Sequence, residues 1–137
     1  MKDQVRRLFD DDGELIVLGT VEGDTPFVRY MIGHADDDLN VYFATYRGTR
    51  KVSQLEANPK VCFVVGGDPT DWRKPYARFF GTCERVDDLE MKKKLWRPLY
   101  ANFFSGPEDE NFTLFVIRPE KVEFMLPAEN RVEIIEF

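Results

Sequence analysis

Three cationic side chains fall within one short stretch, "FATYRGTRK" (43–51), where a predicted strand ends and a predicted helix begins. The helix would carry two of these cations in its first turn. Because the first N–H groups of a helix have no intrahelical acceptor and its N-terminus carries a partial positive charge, such a turn suits phosphate. The three cations are Arg47, Arg50 and Lys51. The local pattern therefore predicts a phosphate site.

The neighbouring side chains suit the same role. Thr49 is the predicted N-cap of the helix, Arg50 offers a planar fork of donors, and Lys51 adds a point charge. The alternative is that these cations form a solvated face near the acidic turn "ADDD" (35–38). Cations usually lie at the other end of a helix, and this weakens the alternative without removing it.

The composition is that of one globular domain, which we expect to extend over residues 1–137. Aromatic residues make up 14% of the chain, with twelve Phe, and this favours β structure and an apolar patch beyond the core of one protomer. A net charge of −6 argues against general nucleic-acid binding and against binding to anionic membranes. A small anionic ligand is still compatible, because local charge decides its binding.

Residue types that ligate metals or activate nucleophiles are scarce. His34 is the single histidine, so a His-rich zinc site is excluded, a Ser-His-Asp triad is disfavoured and no metal is expected. Cys62 and Cys83 lie in apolar runs, and we expect two buried reduced thiols. No apolar run approaches the ~18 residues of a membrane span, and no signal-peptide pattern follows the N-terminal cations. We therefore expect a cytoplasmic protein without membrane or nucleic-acid partners.

Periodicity predicts the elements that must position these residues. Helices are expected at 2–9, 48–59 and 87–100. Strands are expected at 14–21, 27–34, 39–45, 60–66, 76–86, 112–119, 121–126 and 131–137. Gly81, in the middle of a long strand, indicates a bulge or a close approach. Six to eight short strands with two or three short helices predict a mainly β fold, a closed or half-open barrel.

The order of strand, "FATYRGTRK", short helix, "NP" and hydrophobic strand resembles the FMN-binding split barrel of the pyridoxamine-phosphate-oxidase-like proteins. The residues that match its motif are Phe43, Thr45, Thr49, Arg50, Lys51, Leu55, Asn58 and Pro59. "RYMIGH" (29–34) matches the Arg-led strand of that family, and "YARFFGTCERVDD" (76–88) matches its long strand with a central Gly. The resemblance implies an FMN-binding split β-barrel with Greek-key-like connections.

The tail resembles one branch more narrowly. "LWRPLYANFFSGPEDENFTLFVIRPEKVEFM" (95–125) is similar to the general stress protein 26 branch, with its Leu-Trp helix, its aromatic-x-Gly-Pro loop and its strand that ends in Pro-Glu-x. The resemblance covers about residues 12 to 126. No single motif is as specific as a set of zinc ligands, but several occur in the right order.

The resemblance implies a homodimer with FMN at its interface. The residues implied for the phosphate are Arg29, Thr49, Arg50 and Lys51. Those implied for the isoalloxazine ring are Tyr30, Met31, Ile32 and Thr45. Tyr76 stands where the oxidase has a Gln that touches the flavin, and Trp96 or a neighbour would reach the partner's flavin. Each has a structural alternative: Arg29 as an outward strand residue, Met31 and Ile32 as core, Trp96 as the apolar face of a helix.

An enzyme of this kind also needs a substrate pocket over the flavin. The candidates for its lining are His34, Trp72, Phe103 and Phe104. The aromatic candidates could equally be dimer packing, and His34 could be a strand-end histidine beside the acidic turn.

The chain departs from the true oxidases. The substrate-binding Lys of the Arg-led strand is replaced by His34, and the later helix lacks the Tyr and Ser of the oxidase set. We therefore expect a flavin-dependent oxidoreductase of unknown substrate that does not efficiently oxidise pyridoxamine phosphate. One alternative is a flavin-binding stress protein without turnover of its own, and a looser one is a deazaflavin in place of FMN.

Overall fold

The computed structural model describes residues 1–137 and contains seven strands and three short α-helices. The strands are β1 (Glu14–Glu22), β2 (Thr25–Ala35), β3 (Val41–Tyr46), β4 (Lys60–Gly66), β5 (Tyr76–Val86), β6 (Phe112–Leu126) and β7 (Arg131–Glu136). The helices are α1 (Lys2–Arg6), α2 (Arg50–Ala57) and α3 (Leu89–Leu95), with 3₁₀ turns at Pro98–Asn102 and Pro127–Glu129. None of the helices is long and apolar enough to cross a membrane.

Six of the strands close into an antiparallel barrel, which confirms the predicted mainly β split-barrel fold. Their order is β3-β2-β1-β4-β5-β6, and β6 pairs back with β3. The first three strands follow one another as neighbours, and the fourth returns through α2 to lie beside β1, as in a Greek key. The second half of β6 pairs with β7, which is the one strand outside the barrel.

The largest differences between the predicted and the observed elements concern β6 and α3. The expected strands at 112–119 and 121–126 are one strand, because the β5–β6 ladder shifts register between Phe80 and Gly81, and that irregularity accommodates Pro119 within β6. The helix expected at 87–100 ends at Leu95, because Arg97 precedes Pro98 and adopts extended backbone angles. The segment after Trp96 is therefore free to fold against the barrel as a 3₁₀ turn.

The strand pair β2–β3 is held together only at one end. Its ladder consists of two residue pairs, His34 with Tyr42 and Ala35 with Val41. Beyond them, β3 continues along β6 up to Tyr46, while β2 continues along β1. The two strands separate, and the edge of each that faces the other has no strand partner. Backbone N–H and C=O groups along this opening, which we call the split, are therefore available to a ligand.

Two apolar clusters pack on opposite sides of the barrel wall. The larger cluster fills the barrel and includes the stacked rings of Phe63 and Phe79, with centroids 4.5 Å apart. The smaller one lies outside β6 and contains Tyr100, Phe104, Phe112 and Leu114. Because both faces of the first half of β6 are covered, all residues from Phe112 to Ile117 are buried.

The two cysteines are both free. Cys83 is buried, and burial raises its pKa to about 12, so it fits the expected buried reduced thiol. Cys62 is only half-buried, on the outer side of β4, so the expectation of a second buried thiol was wrong.

Candidate functional site

An apolar cavity of about 310 Å³ lies at the split. Ten of its eleven lining residues are hydrophobic, and they come from β1, β2, β3 and the segment after α3. They are Leu15, Tyr30, Met31, Ile32, Ala44, Thr45, Tyr46, Leu99, Tyr100, Phe103 and Phe104. The cavity thus brings together the four residues predicted for the ring system of a flavin and two of the predicted substrate-pocket residues, Phe103 and Phe104.

The outer wall of the cavity is the segment 98–104, which is fixed to the barrel by polar and aromatic contacts. The Tyr46 hydroxyl donates to the carbonyl of Phe103 at 3.1 Å, and the Tyr100 hydroxyl lies 3.2 Å from His34 Nδ1. The rings of Tyr100 and Phe104 pack on Phe112, with centroids 5.4 and 5.1 Å away. These contacts hold the wall in place over the split.

Arg29 projects from β2 into a set of uncharged acceptors. Its guanidinium donates to Thr20 Oγ1 at 2.7 Å, to Gln54 Oε1 at 2.6 Å and to the carbonyl of Leu18 at 3.3 Å. Partial burial lowers the pKa of Arg29. The side chain is therefore held in place without a carboxylate to neutralise its charge.

Lys51, in the first turn of α2, is the second cation at this place. Its ammonium donates to Thr45 Oγ1 at 2.8 Å. Burial, and after it the charge of Arg29, lowers the pKa of Lys51. Arg29 and Lys51, which we call the cation pair, are thus close, partly desolvated and bonded only to neutral groups. An anion that binds between them would relieve both their repulsion and their lack of a counter-charge.

Thr45 connects the cation pair to the cavity, because it accepts from Lys51 and also lines the cavity. Its neighbour across the β3–β6 ladder is Thr113, whose buried hydroxyl has no hydrogen-bond partner. An unpartnered buried hydroxyl is uncommon in a folded protein. The structure therefore offers a second hydroxyl, free to form a hydrogen bond, on the same face of the sheet as Thr45.

The other residues of the motif, Arg47, Thr49 and Arg50, do not belong to the cation pair. Arg50 is 68% exposed, forms a 3.2 Å ion pair with Glu22 and stacks on Phe27 at 4.5 Å. Thr49 is the N-cap residue by position, but its side chain does not cap α2 and lies 3.5 Å from Thr45 Oγ1. The expected side-chain cap is therefore wrong, because Thr49 faces Thr45 instead. Arg47 is exposed.

Two residues that sequence reasoning missed hold Arg29 of the cation pair. Gln54 is buried on α2 beside Val52 and Leu55, and Thr20 is buried on β1. The Thr20 hydroxyl donates to Gln54 Oε1 at 2.8 Å. Thr20 stands out only as a polar residue in an apolar strand, which does not by itself indicate a partner, and Gln54, in the mostly polar helix "RKVSQLEA", gives no sequence signal.

His34 does not line the cavity. It is 3% exposed and lies behind Tyr100, with Nε2 3.3 Å from the carbonyl of Asp12. Because that carbonyl can only accept, Nε2 carries the proton and Nδ1 accepts from the Tyr100 hydroxyl. Burial, and after it the charge of Arg97, lowers the pKa of His34. His34 thus supports the cavity wall through Tyr100.

Three further predicted residues lie away from the cavity. Trp72 and Tyr76 share a separate depression of about 390 Å³ near the start of β5. Trp96 packs on Tyr100 and Phe112, with centroids 5.6 and 5.1 Å away, on the far side of the wall. For these three, a role toward the flavin of this protomer or its partner stays a prediction.

Comparisons with known proteins identify the family of this chain. The family model described as pyridoxamine 5'-phosphate oxidase matches residues 1–126. General stress protein 26 of Bacillus subtilis is 30% identical over 112 residues, which cover 82% of this chain and 79% of that protein. Pyridoxine/pyridoxamine 5'-phosphate oxidase of Escherichia coli is 29% identical over 106 residues, which cover 77% of this chain but 44% of that enzyme.

A solved structure gives the same result for the fold. The crystal structure of General Stress Protein 26 from Bacillus anthracis superimposes with a TM-score of 0.82 at 25% identity and covers 99% of this chain and 98% of that one. The family match spans all the strands of the barrel and both cations of the pair. This chain therefore belongs to the pyridoxamine 5'-phosphate oxidase family.

Proposed function

We propose that this protein binds FMN at the split between β2 and β3. One observation carries the proposal: an apolar cavity meets a pair of uncompensated cations at Thr45. A ligand that suits both parts has a flat aromatic body joined to a phosphate, and FMN has this construction.

The residues present fit the group. The cavity volume of about 310 Å³ is at the lower end of the range typical of small-molecule sites, roughly 300–1,000 Å³. Tyr30, Met31 and Ile32 offer both apolar side chains and an unpaired strand edge to a ring system that carries polar atoms on its rim. The cation pair supplies charge-assisted donors for the phosphate.

In this proposal each group of residues has a distinct task. Arg29 and Lys51 bind the phosphate, with Thr49 and Arg50 at its edge. The edge of β2 and Thr45 orient the ring system, and the wall at 98–104 excludes water from one side of it. When bound, FMN supplies the hydride and electron chemistry, so the protein needs no acid–base pair of its own in the cavity.

We infer that the activity is that of a flavin-dependent oxidoreductase whose substrate is unknown. Efficient oxidation of pyridoxamine phosphate is not expected, because the cavity lining contains no charged residue to bind a second phosphate. The chain also spans less than half of the matched oxidase. The likeness to General stress protein 26 favours a second candidate, a flavin-binding protein that acts in stress without turnover.

The proposal includes a homodimer. The outer face of β1 and β2 exposes Leu15, Val17, Val28, Tyr30 and Ile32, of which Val28 and Tyr30 are 73% exposed. Two copies that bury this face against each other would cover the mouth of the cavity. Val28→Glu should then give a monomer of 16.0 kDa by light scattering, whereas the native chain gives twice that mass. A native monomer would contradict this part.

The first test is a fluorescence titration with FMN, with riboflavin beside it. The proposal expects tight binding of FMN and much weaker binding of riboflavin, which lacks the phosphate. Equal affinity for the two would refute the phosphate site, and tighter binding of a deazaflavin in a parallel titration would refute the choice of cofactor. Steady-state oxidation of reduced nicotinamide nucleotides and of pyridoxamine phosphate by the loaded protein then separates the reductase from the binding protein without turnover.

A further inference from the structure

Gln54 lies at the centre of the polar network behind the cation pair. It is 2% exposed, and it is the only polar side chain of α2 that is buried. Its Oε1 accepts from Arg29 at 2.6 Å and from Thr20 at 2.8 Å, and its Nε2 donates to Glu22 at 2.8 Å. All of its side-chain hydrogen bonds are therefore with residues of β1 and β2.

The chemistry of its partners fixes the orientation of this amide. A guanidinium can only donate and a carboxylate can only accept, so the oxygen must face Arg29 and the nitrogen must face Glu22. Gln54 thus connects Glu22 to Arg29 without an ion pair between them. Glu22 instead accepts hydrogen bonds from the Gln54 amide and from Arg50, and these contacts lower the pKa of Glu22.

We propose that Gln54 is a positioning residue of the anion site: it holds Arg29 by a neutral acceptor, so that the charge of Arg29 stays available for the phosphate of the ligand. This inference rests on the proposed FMN site. A carboxylate in the same place would still accept from Arg29 but would neutralise its charge, and it would face Glu22 with a second acceptor in place of the donor. An apolar side chain would leave the charge but release the guanidinium.

The test compares three variants by the ratio of FMN affinity to riboflavin affinity. Gln54→Glu should lower this ratio by at least about tenfold, because a charge-assisted hydrogen bond to the phosphate is lost. Gln54→Met should lower it less. Ser53→Glu adds the same charge on the exposed side of the same helix and should leave the ratio close to that of the native chain. Circular dichroism and thermal unfolding establish that each variant is folded.

A purely structural role predicts another result. Gln54→Met would then weaken FMN and riboflavin alike and at least as much as Gln54→Glu does, and that outcome would overturn the inference. An unchanged ratio in Gln54→Glu would overturn it as well. If Gln54→Glu does not fold, Gln54→Met decides: a phosphate-selective loss supports the inference and a native ratio overturns it.

Failure of the proposed function can be told apart from failure of this inference. If the native chain binds no FMN, the proposed function is wrong, and the same variants are compared by the thermal shift that inorganic phosphate produces. A shift in the native chain that Gln54→Glu abolishes would support the role of Gln54 at a different anion site. No shift in the native chain would overturn both.

Discussion

Replacing Lys51 with Met tests whether the uncompensated cation carries phosphate affinity. The ammonium of Lys51 is half-buried, has no carboxylate partner and already donates to Thr45 on the cavity wall. Met keeps the apolar stem and favours a helix, so the change removes mainly the charge. A charge-assisted hydrogen bond contributes about 1.5–3 kcal/mol, so we expect FMN to bind roughly 10- to 150-fold more weakly.

The matched control is Arg50→Met, one residue away in the same turn. Arg50 is 68% exposed and is already paired with Glu22. An exposed charge in this situation is worth about 0–1 kcal/mol, so the expected loss is at most about fivefold. The sequence motif alone ranks the two cations equally, whereas the structure ranks Lys51 first.

Both variants are titrated with FMN and riboflavin at constant ionic strength, because salt screens the exposed Arg50 more than the half-buried Lys51. Riboflavin affinity should not change in either. The reasoning is refuted if Arg50→Met loses more FMN affinity than Lys51→Met, or if Lys51→Met weakens riboflavin as much as FMN.

Two further predictions concern stability. Gly81→Ala would place a Cβ 2.4 Å from the carbonyl oxygen of Arg118, so we expect a loss of about 1–3 kcal/mol in urea unfolding. Gly106→Ala, where a Cβ meets open space, is the control, and equal stabilities of the two variants would contradict the tight β5–β6 contact. His34→Phe removes two buried hydrogen bonds and should cost about 1–3 kcal/mol at pH 8. The pKa of His34 in the folded protein lies below its ordinary value of 6.5, so the unfolded chain takes up the proton first as the pH falls. The native chain therefore loses stability below about pH 6.5, and the difference in unfolding free energy between it and the variant narrows. A difference that stays constant from pH 8 to pH 5 would contradict this.

The barrel was predictable because its strands carry strong local signals. "KVCFVVG" and "YARFFGTCERV" gave β4 and β5 with their observed bounds, and Gly81 marked the irregularity between β5 and β6. The length of β6 was not predictable from local signals. Proline normally ends a strand, and only the shift of register between β5 and β6 allows Pro119 to remain inside one.

The cation site was predictable in part. Lys51 was visible in "TRK" because helix-end physics gives a cation in a first turn an unusual position. Arg29 came only from the resemblance, because a single Arg in a strand has no local meaning. The support from Thr20 and Gln54 depends on contacts across nine to thirty-four positions of sequence, which periodicity does not report. The placement of His34 behind Tyr100 depends likewise on a contact across 66 positions.

The proposed anion site keeps its positive charge in an acidic chain because the neighbouring carboxylate is bonded elsewhere. Glu22 is the acidic side chain nearest to the network, and it is bonded to Arg50 and Gln54 rather than to Arg29. The number of cations in "FATYRGTRK" therefore matters less than the neutral acceptors that hold Arg29, from outside this motif, and Lys51, from within it. A chain with the same three cations in the motif but with a carboxylate at position 54 would have the motif and lack the charge. Gln54 in addition to the motif is thus what we expect to distinguish a competent phosphate site from a vestigial one in this barrel.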